Sequence, residues 1–145
     1  KHGVQTVVHN HSGLSMGLNS TAAMNVVKGF DPKHVGVFTD PGHLSICGEP
    51  IQMALSIVKD YVSILSFKDL IKEQRERNGK MSWATKVVPL GTGFGDFPAL
   101  LQTLKSMDYN GSISFHSEYS GETPERIVEL ARDDVKFIDG LLADM

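Results

Sequence analysis

Four β-rich stretches, each running into a helix-forming stretch, constrain this chain more than any other feature. The first is "VQTVVHNH" (Val4 to His11), which stops at Ser12-Gly13 and leads through a polar loop to "AAMNVVK", with Ser20-Thr21 as the expected cap and Gly29 as the stop. The second is "VGVFT" (Val35 to Thr39), followed by "PIQMALSIVKDY" with Pro50 in its first turn. "VSILSF" (Val62 to Phe67) is the third. A long polar loop from about Asp69 to Lys86 separates it from the helix "DFPALLQTLKSM". "SISFH" is the fourth, and Thr123-Pro124-Glu125 opens a last helix whose Ile127, Val128, Leu130, Val135, Ile138 and Leu141 form one apolar stripe expected to be buried.

The order βαβαβαβα predicts a parallel sheet with helices packed outside it. Two α/β architectures satisfy it: four parallel βα units of a (β/α) TIM-barrel type, or a small doubly wound open sheet. Central strands of an open sheet are apolar on both faces. Here each strand turns polar on one face at its C-terminal end: His9 and His11, then Asp40, then Ser66 and Lys68, then His116 and Glu118. Polar side chains delivered to the carboxyl ends of successive strands are the anatomy of a barrel site, so the strands favour the barrel.

With 145 residues, the chain has room for a single domain, residues 1–145. A net charge of −3 and the lack of an uninterrupted basic run argue against nucleic-acid binding. No apolar stretch approaches a membrane span. One cysteine, Cys47, allows no internal disulfide, and no secretory-signal pattern is visible, so a reducing, cytoplasmic setting is expected. The abrupt entry into a strand after Lys1-His2-Gly3 leads us to expect a piece of a longer protein, truncated or processed.

Within this frame a few stretches carry chemistry. "VFTDPGHLSICGEP" sets Asp40 and His43 in D-x-x-H spacing just beyond a strand. Asp40 reads equally as the start of a turn over Pro41-Gly42 and as a metal ligand with His43 facing the same pocket. "VVHNHSG" offers His9 and His11 as a pair on one strand face that one metal could bridge, or as a solvated strand end. Lys68 in "SFKDL" can meet a carbonyl or phosphate oxygen, or pair with Asp69 or Glu118. "GTGFGD" (Gly91 to Asp96) imitates a dinucleotide fingerprint but opens no βαβ unit. Tight turns, with Asp96 capping a helix, account for it.

Taken in order, "VVHNHSG", "VGVFTDPGHLSICGEP", "DYVSILSFKDL", "VPLGTGFGDFPALLQTL" and "DYNGSISFHSEYSGE" resemble the sugar phosphate isomerase/epimerase group of xylose isomerase-like TIM barrels. The resemblance spans the whole chain and corresponds to the fifth to eighth strand regions, so it implies the C-terminal half of a (β/α)8 barrel. It implies a divalent metal (Zn, Mn or Co) on His9, Asp40 and His116, with Glu118 or His11 completing the set. It also implies a small sugar, sugar phosphate or polyol derivative as substrate. Glu118 is then the base of an enediolate-type proton transfer, His43 and Lys68 handle oxygen protons or charge, and His11, His43 and Lys68 contact substrate. The pattern departs from the family's at three positions: His9 and His116 stand where the family has Glu, and Ser66 where it has His. A non-catalytic barrel that binds a ligand or partner is the alternative. A half barrel with exposed edges is also expected to form homo-oligomers.

Overall fold

The computed structural model describes residues 2–145. Strands β1 (Thr6–His9), β2 (Val35–Thr39), β3 (Val62–Phe67) and β6 (Ser112–Phe115) form one sheet in the order β1-β2-β3-β6. Every neighbouring pair is parallel. Parallel neighbours need crossovers, and α1 (Ser20–Val27), α3 (Ile51–Val58) and α4 (Phe97–Ser106) supply them; α5 (Pro124–Ala143) follows β6.

Register sorts the two faces. Val8 pairs with Val37, Val37 with Val62, Leu65 with Ile113 and Phe67 with Phe115, so these side chains share the face that carries the helices. There Ala23, Val27, Val37 and Val58 form one buried cluster, and Leu55, Leu65, Phe67, Phe97, Leu100 and Ile138 belong to a second; Val62 packs against both. The opposite face carries His9, Phe38, Ile64, Ser66 and Ser114. One greasy face under helices and one mixed face is the arrangement of a barrel wall, and the structure is a partial barrel of four βα units.

Helix ends follow side-chain chemistry. The Asn19 side chain, rather than Ser20 or Thr21, caps α1 by accepting from the Ala22 N–H at 2.9 Å, because Ser20 is turned to the Glu49 carboxylate at 2.8 Å. Asp96 caps α4 and Thr123 caps α5, as the sequence suggests. Asp40 caps a further short helix, α2 (Pro41–Ile46), where only a turn is expected.

Two expectations are corrected. The stretch 69–86 is not a loop but most of a long antiparallel hairpin, β4 (Asp69–Arg77) and β5 (Lys80–Val88). Its turn is Asn78-Gly79 with positive φ at both residues (55° and 72°), the conformation for which Asn-Gly is favoured in a two-residue hairpin. The signal was therefore in the chain, obscured by strands polar on both faces. The apolar stripe of α5 is also buried far less than its spacing implies: Ile138 is in the core, while Val128 and Val135 are 50% and 41% exposed. The helix instead buries Asp134, which accepts from the Leu90 N–H at 3.0 Å and from the Tyr119 hydroxyl. A satisfied polar anchor takes part of the place of an apolar seam.

Candidate active site

Alternation along the strands delivers His9, Asp40, Lys68 and His116 to the C-terminal end of the non-helical face. Asp40, with no exposed surface, is the centre. Its Oδ2 lies 3.4 Å from His9 Nε2, 3.4 Å from Lys68 Nζ, 3.5 Å from His116 Nδ1 and 3.8 Å from His43 Nε2. Its Oδ1 accepts from the His43 N–H at 3.2 Å, so the turn-forming reading of Asp40 holds through one oxygen, while the other faces the imidazoles and Lys68.

Three elements hold this carboxylate in place. Asn10, buried, exchanges two bonds with the Asp40 backbone: its amide donates to the carbonyl at 3.0 Å, and its oxygen accepts from the N–H at 2.7 Å. Gly42 permits α2 to start against β3, since a Cβ there would strike the Lys68 carbonyl. Phe38 supports the imidazoles, stacked on His9 at 4.6 Å between centroids and edge-on to His116 at 5.4 Å.

Lys68 is 2% exposed and donates to Glu118 Oε2 at 2.8 Å, with His43 Nε2 at 3.4 Å. Of its two expected partners it takes Glu118; the Asp69 carboxylate turns instead to the loop amides of Gly91, Gly93 and Gly95 at 2.7–3.0 Å. That loop is the "GTGFGD" stretch, and the anion its amides hold is internal. His11 is not brought to Asp40. It leaves the strand, its N–H donating to the Gly17 carbonyl, and its ring packs on His43 at 3.8 Å between centroids.

Charge follows from the neighbours. Burial alone would raise the pKa of Asp40, but the closeness of His116 and His9, with the charges of His43 and Lys68, outweighs it and holds the carboxyl far below its ordinary range. Burial, reinforced by the charge of Lys68, pushes His43 down to about 4 against the pull of Asp40, so it is neutral at pH 7. For Glu118 burial is again the largest influence and raises the pKa, but the Lys68 bond and charge bring the net shift down. The site at neutral pH therefore holds two carboxylates and a neutral imidazole.

Sequence reasoning missed Asn10 and Ser12. Ser12 Oγ lies 2.8 Å from His43 Nδ1 and fixes the ring. An Asn between two strand-end histidines was the available clue to the first; for Ser12 nothing local distinguishes it from a loop serine. Buried Ser66 Oγ and His116 Nδ1 have no hydrogen-bond partner. Among the described residues no three His, Cys, Asp or Glu side chains already stand as a metal cage. No helix is long and apolar enough to cross a membrane.

The chain matches the inosose dehydratase of Lacticaseibacillus casei at 29% identity over 125 residues, covering 80% of this chain and 41% of that protein. It therefore spans about two fifths of the curated relatives it matches. Its fold is similar to that of an L-ribulose 3-epimerase (TM-score 0.71, 18% identity, 98% of this chain and 48% of the other). A xylose isomerase-like TIM barrel protein from Mycobacterium smegmatis, described in complex with magnesium, is also similar (TM-score 0.66, 17% identity, 97% and 45%). The family model described as "Xylose isomerase-like TIM barrel" matches residues 1–141, and with a half barrel whose polar residues gather at the carboxyl ends of its strands, this chain belongs to that family.

Proposed function

We propose that this chain forms the site of a metal-dependent isomerase or epimerase acting on a small sugar, sugar phosphate or polyol derivative. The observation that carries the reading is Asp40 Oδ2, wholly buried, with His9, His43, Lys68 and His116 all within 3.8 Å. Relatives named as sugar epimerases and an inosose dehydratase support the same class of chemistry.

The donors fit a divalent cation. Two imidazole nitrogens and one carboxylate oxygen suit Zn, Mn or Co. Two ligands on one tetrahedral ion with bonds of ~2.0–2.1 Å stand ~3.4 Å apart. His9 Nε2 and His116 Nδ1 stand 3.4 and 3.5 Å from Asp40 Oδ2. The orphaned, buried Nδ1 of His116 is a further sign of an acceptor awaiting a cation. His9, Asp40 and His116 would hold the ion, which when bound polarises a carbonyl and its neighbouring hydroxyl as a Lewis acid.

The rest is done by the chain's own groups. Glu118, ionised and 61% exposed at its side chain, is free to take the proton α to the carbonyl and return it, to the other face or the neighbouring carbon. Lys68 keeps Glu118 ionised between turnovers and supplies positive charge where an enediolate oxygen develops negative charge. His43, neutral and oriented by Ser12, can pass a hydroxyl proton.

The test is exchange of the α-proton of a ketose panel (D-fructose, D-ribulose, D-xylulose) in D2O, followed by NMR, with the protein loaded in turn with Mn, Co or Zn. Exchange that needs the metal and is lost in Glu118→Gln is expected. A well-folded protein that takes up no metal and exchanges nothing would support the binding-module reading instead.

A further inference from the structure

A cavity of about 580 Å³ opens beside this cluster, between the β4–β5 hairpin and the loop after β1. That is an ordinary size for a small-ligand site. His11, Ser12, Cys47, Lys72, Trp83 and Thr85 are among the residues that line it. It adjoins the Asp40 cluster through lining residues that touch His43: the His11 ring lies on it, and Ser12 bonds it.

The hairpin register explains the lining. Lys72 pairs with Thr85 and Gln74 with Trp83, and directly opposed residues of an antiparallel pair project to the same face. A cation, a hydroxyl and an indole are thus presented together. Trp83 is 67% exposed, so its large apolar side chain is left mostly to water. Lys72 makes no ion pair among the described residues, and no carboxylate lines the cavity. The contrast with the neighbouring cluster, which holds Asp40 and Glu118, is one of charge. The cleft offers an anion an ammonium with no carboxylate in its lining to compete for it.

We propose that this cleft is the subsite for the anionic end of a phosphorylated or carboxylated sugar, whose reacting carbonyl lies at the Asp40 cluster. The inference rests on the proposed function for the position of the carbonyl, but not for the existence of the cleft. Lys72 pairs with the phosphate or carboxylate, the Ser12 and Thr85 hydroxyls meet its oxygens or the sugar's, and the Trp83 face covers the sugar's C–H edge.

Trp83 is the only tryptophan of the chain, so its fluorescence reports on occupancy. The chain is titrated with D-ribose 5-phosphate against D-ribose, and with D-glucuronate against D-glucose, calorimetry serving as a second readout. At least one anionic sugar should bind about two- to fivefold more tightly than its neutral parent, the gain an exposed ion pair supplies. Which pair shows the gain identifies phosphate or carboxylate as the recognised group. Lys72→Gln should erase the gain and leave the neutral sugar unchanged, 1 M NaCl should shrink it, and Trp83→Phe should retain part of the affinity by calorimetry. Equal binding within both pairs, or a gain that survives Lys72→Gln, would overturn the proposal. Asp40→Asn separates the two readings: anionic binding should persist there even where proton exchange is lost.

Discussion

Asp40 and Asp69 are both wholly buried carboxylates just beyond neighbouring parallel strands, yet their surroundings have little in common. Asp69 accepts only from main-chain amides, those of Leu70, Gly91, Gly93 and Gly95, at 2.7–3.0 Å. Asp40 is surrounded by side chains, three imidazoles and an ammonium, at 3.4–3.8 Å. Backbone donors cannot be exchanged without moving the chain, so Asp69 is bound into the architecture and fastens the loop before α4 to the end of β3. Side-chain donors at longer range can shift, so Asp40 has neighbours that a metal or substrate can rearrange. Burial alone does not separate the two carboxylates; the kind of donor does.

The largest effect should come from breaking the Asp40 side of this contrast. Asp40→Asn removes the charge that holds the cluster and, on the proposed function, one coordinating oxygen, while Asn still caps α2 and the Asn10 bonds are made to backbone. Metal content and proton exchange should fall about a thousandfold or more, with far-UV circular dichroism unchanged. Metal retained at wild-type stoichiometry would remove Asp40 from the ligand set.

Asp69→Asn should do the reverse. An amide nitrogen would face one or more of the loop N–H groups, leaving buried donors unpaired at about 1–3 kcal/mol each, so a loss of about 3 kcal/mol is expected in urea denaturation. Stability within 1 kcal/mol of wild type would show that the loop is held by its other contacts.

A smaller effect belongs to the Tyr119–Asp134 pair beneath α5. Burial first, then the bond to Asp134 and the charges of Asp134 and Asp69, raise the Tyr119 pKa well above its ordinary 10. The folded state therefore favours the neutral phenol. Its stabilisation is complete below the unfolded value of about 10 and is lost as pH rises through the higher folded value. Tyr119→Phe should cost about 1–3 kcal/mol at pH 7, and the gap to wild type should narrow above pH 10 in thermal melts. A gap constant to pH 11 would place the cost in packing.

The smallest effect probes the hairpin. Gly79→Ala forces a Cβ on a residue with φ of 72° and should cost about 1 kcal/mol, with no change in metal binding.

Much was legible before the fold was known. The strand-helix order and the polar residue closing each strand follow from periodicity, because a strand end in a barrel has one face on helices and one on the site. Asp40, Lys68 and His116 could be found that way, each lying at a strand's carboxyl end, and His43 by its D-x-x-H spacing from Asp40. The hairpin was legible too, at Asn78-Gly79, but strands such as Glu73 to Arg77 have no apolar face to advertise them. What only the tertiary structure decided is which donor each buried group meets. Asn10 reaches the backbone of Asp40 across 30 residues, Lys68 takes Glu118 rather than its neighbour Asp69, and α5 buries Asp134 instead of Val135. A hydrogen bond is satisfied by whatever lies within about 3 Å, and that distance is set by packing between elements far apart in the chain.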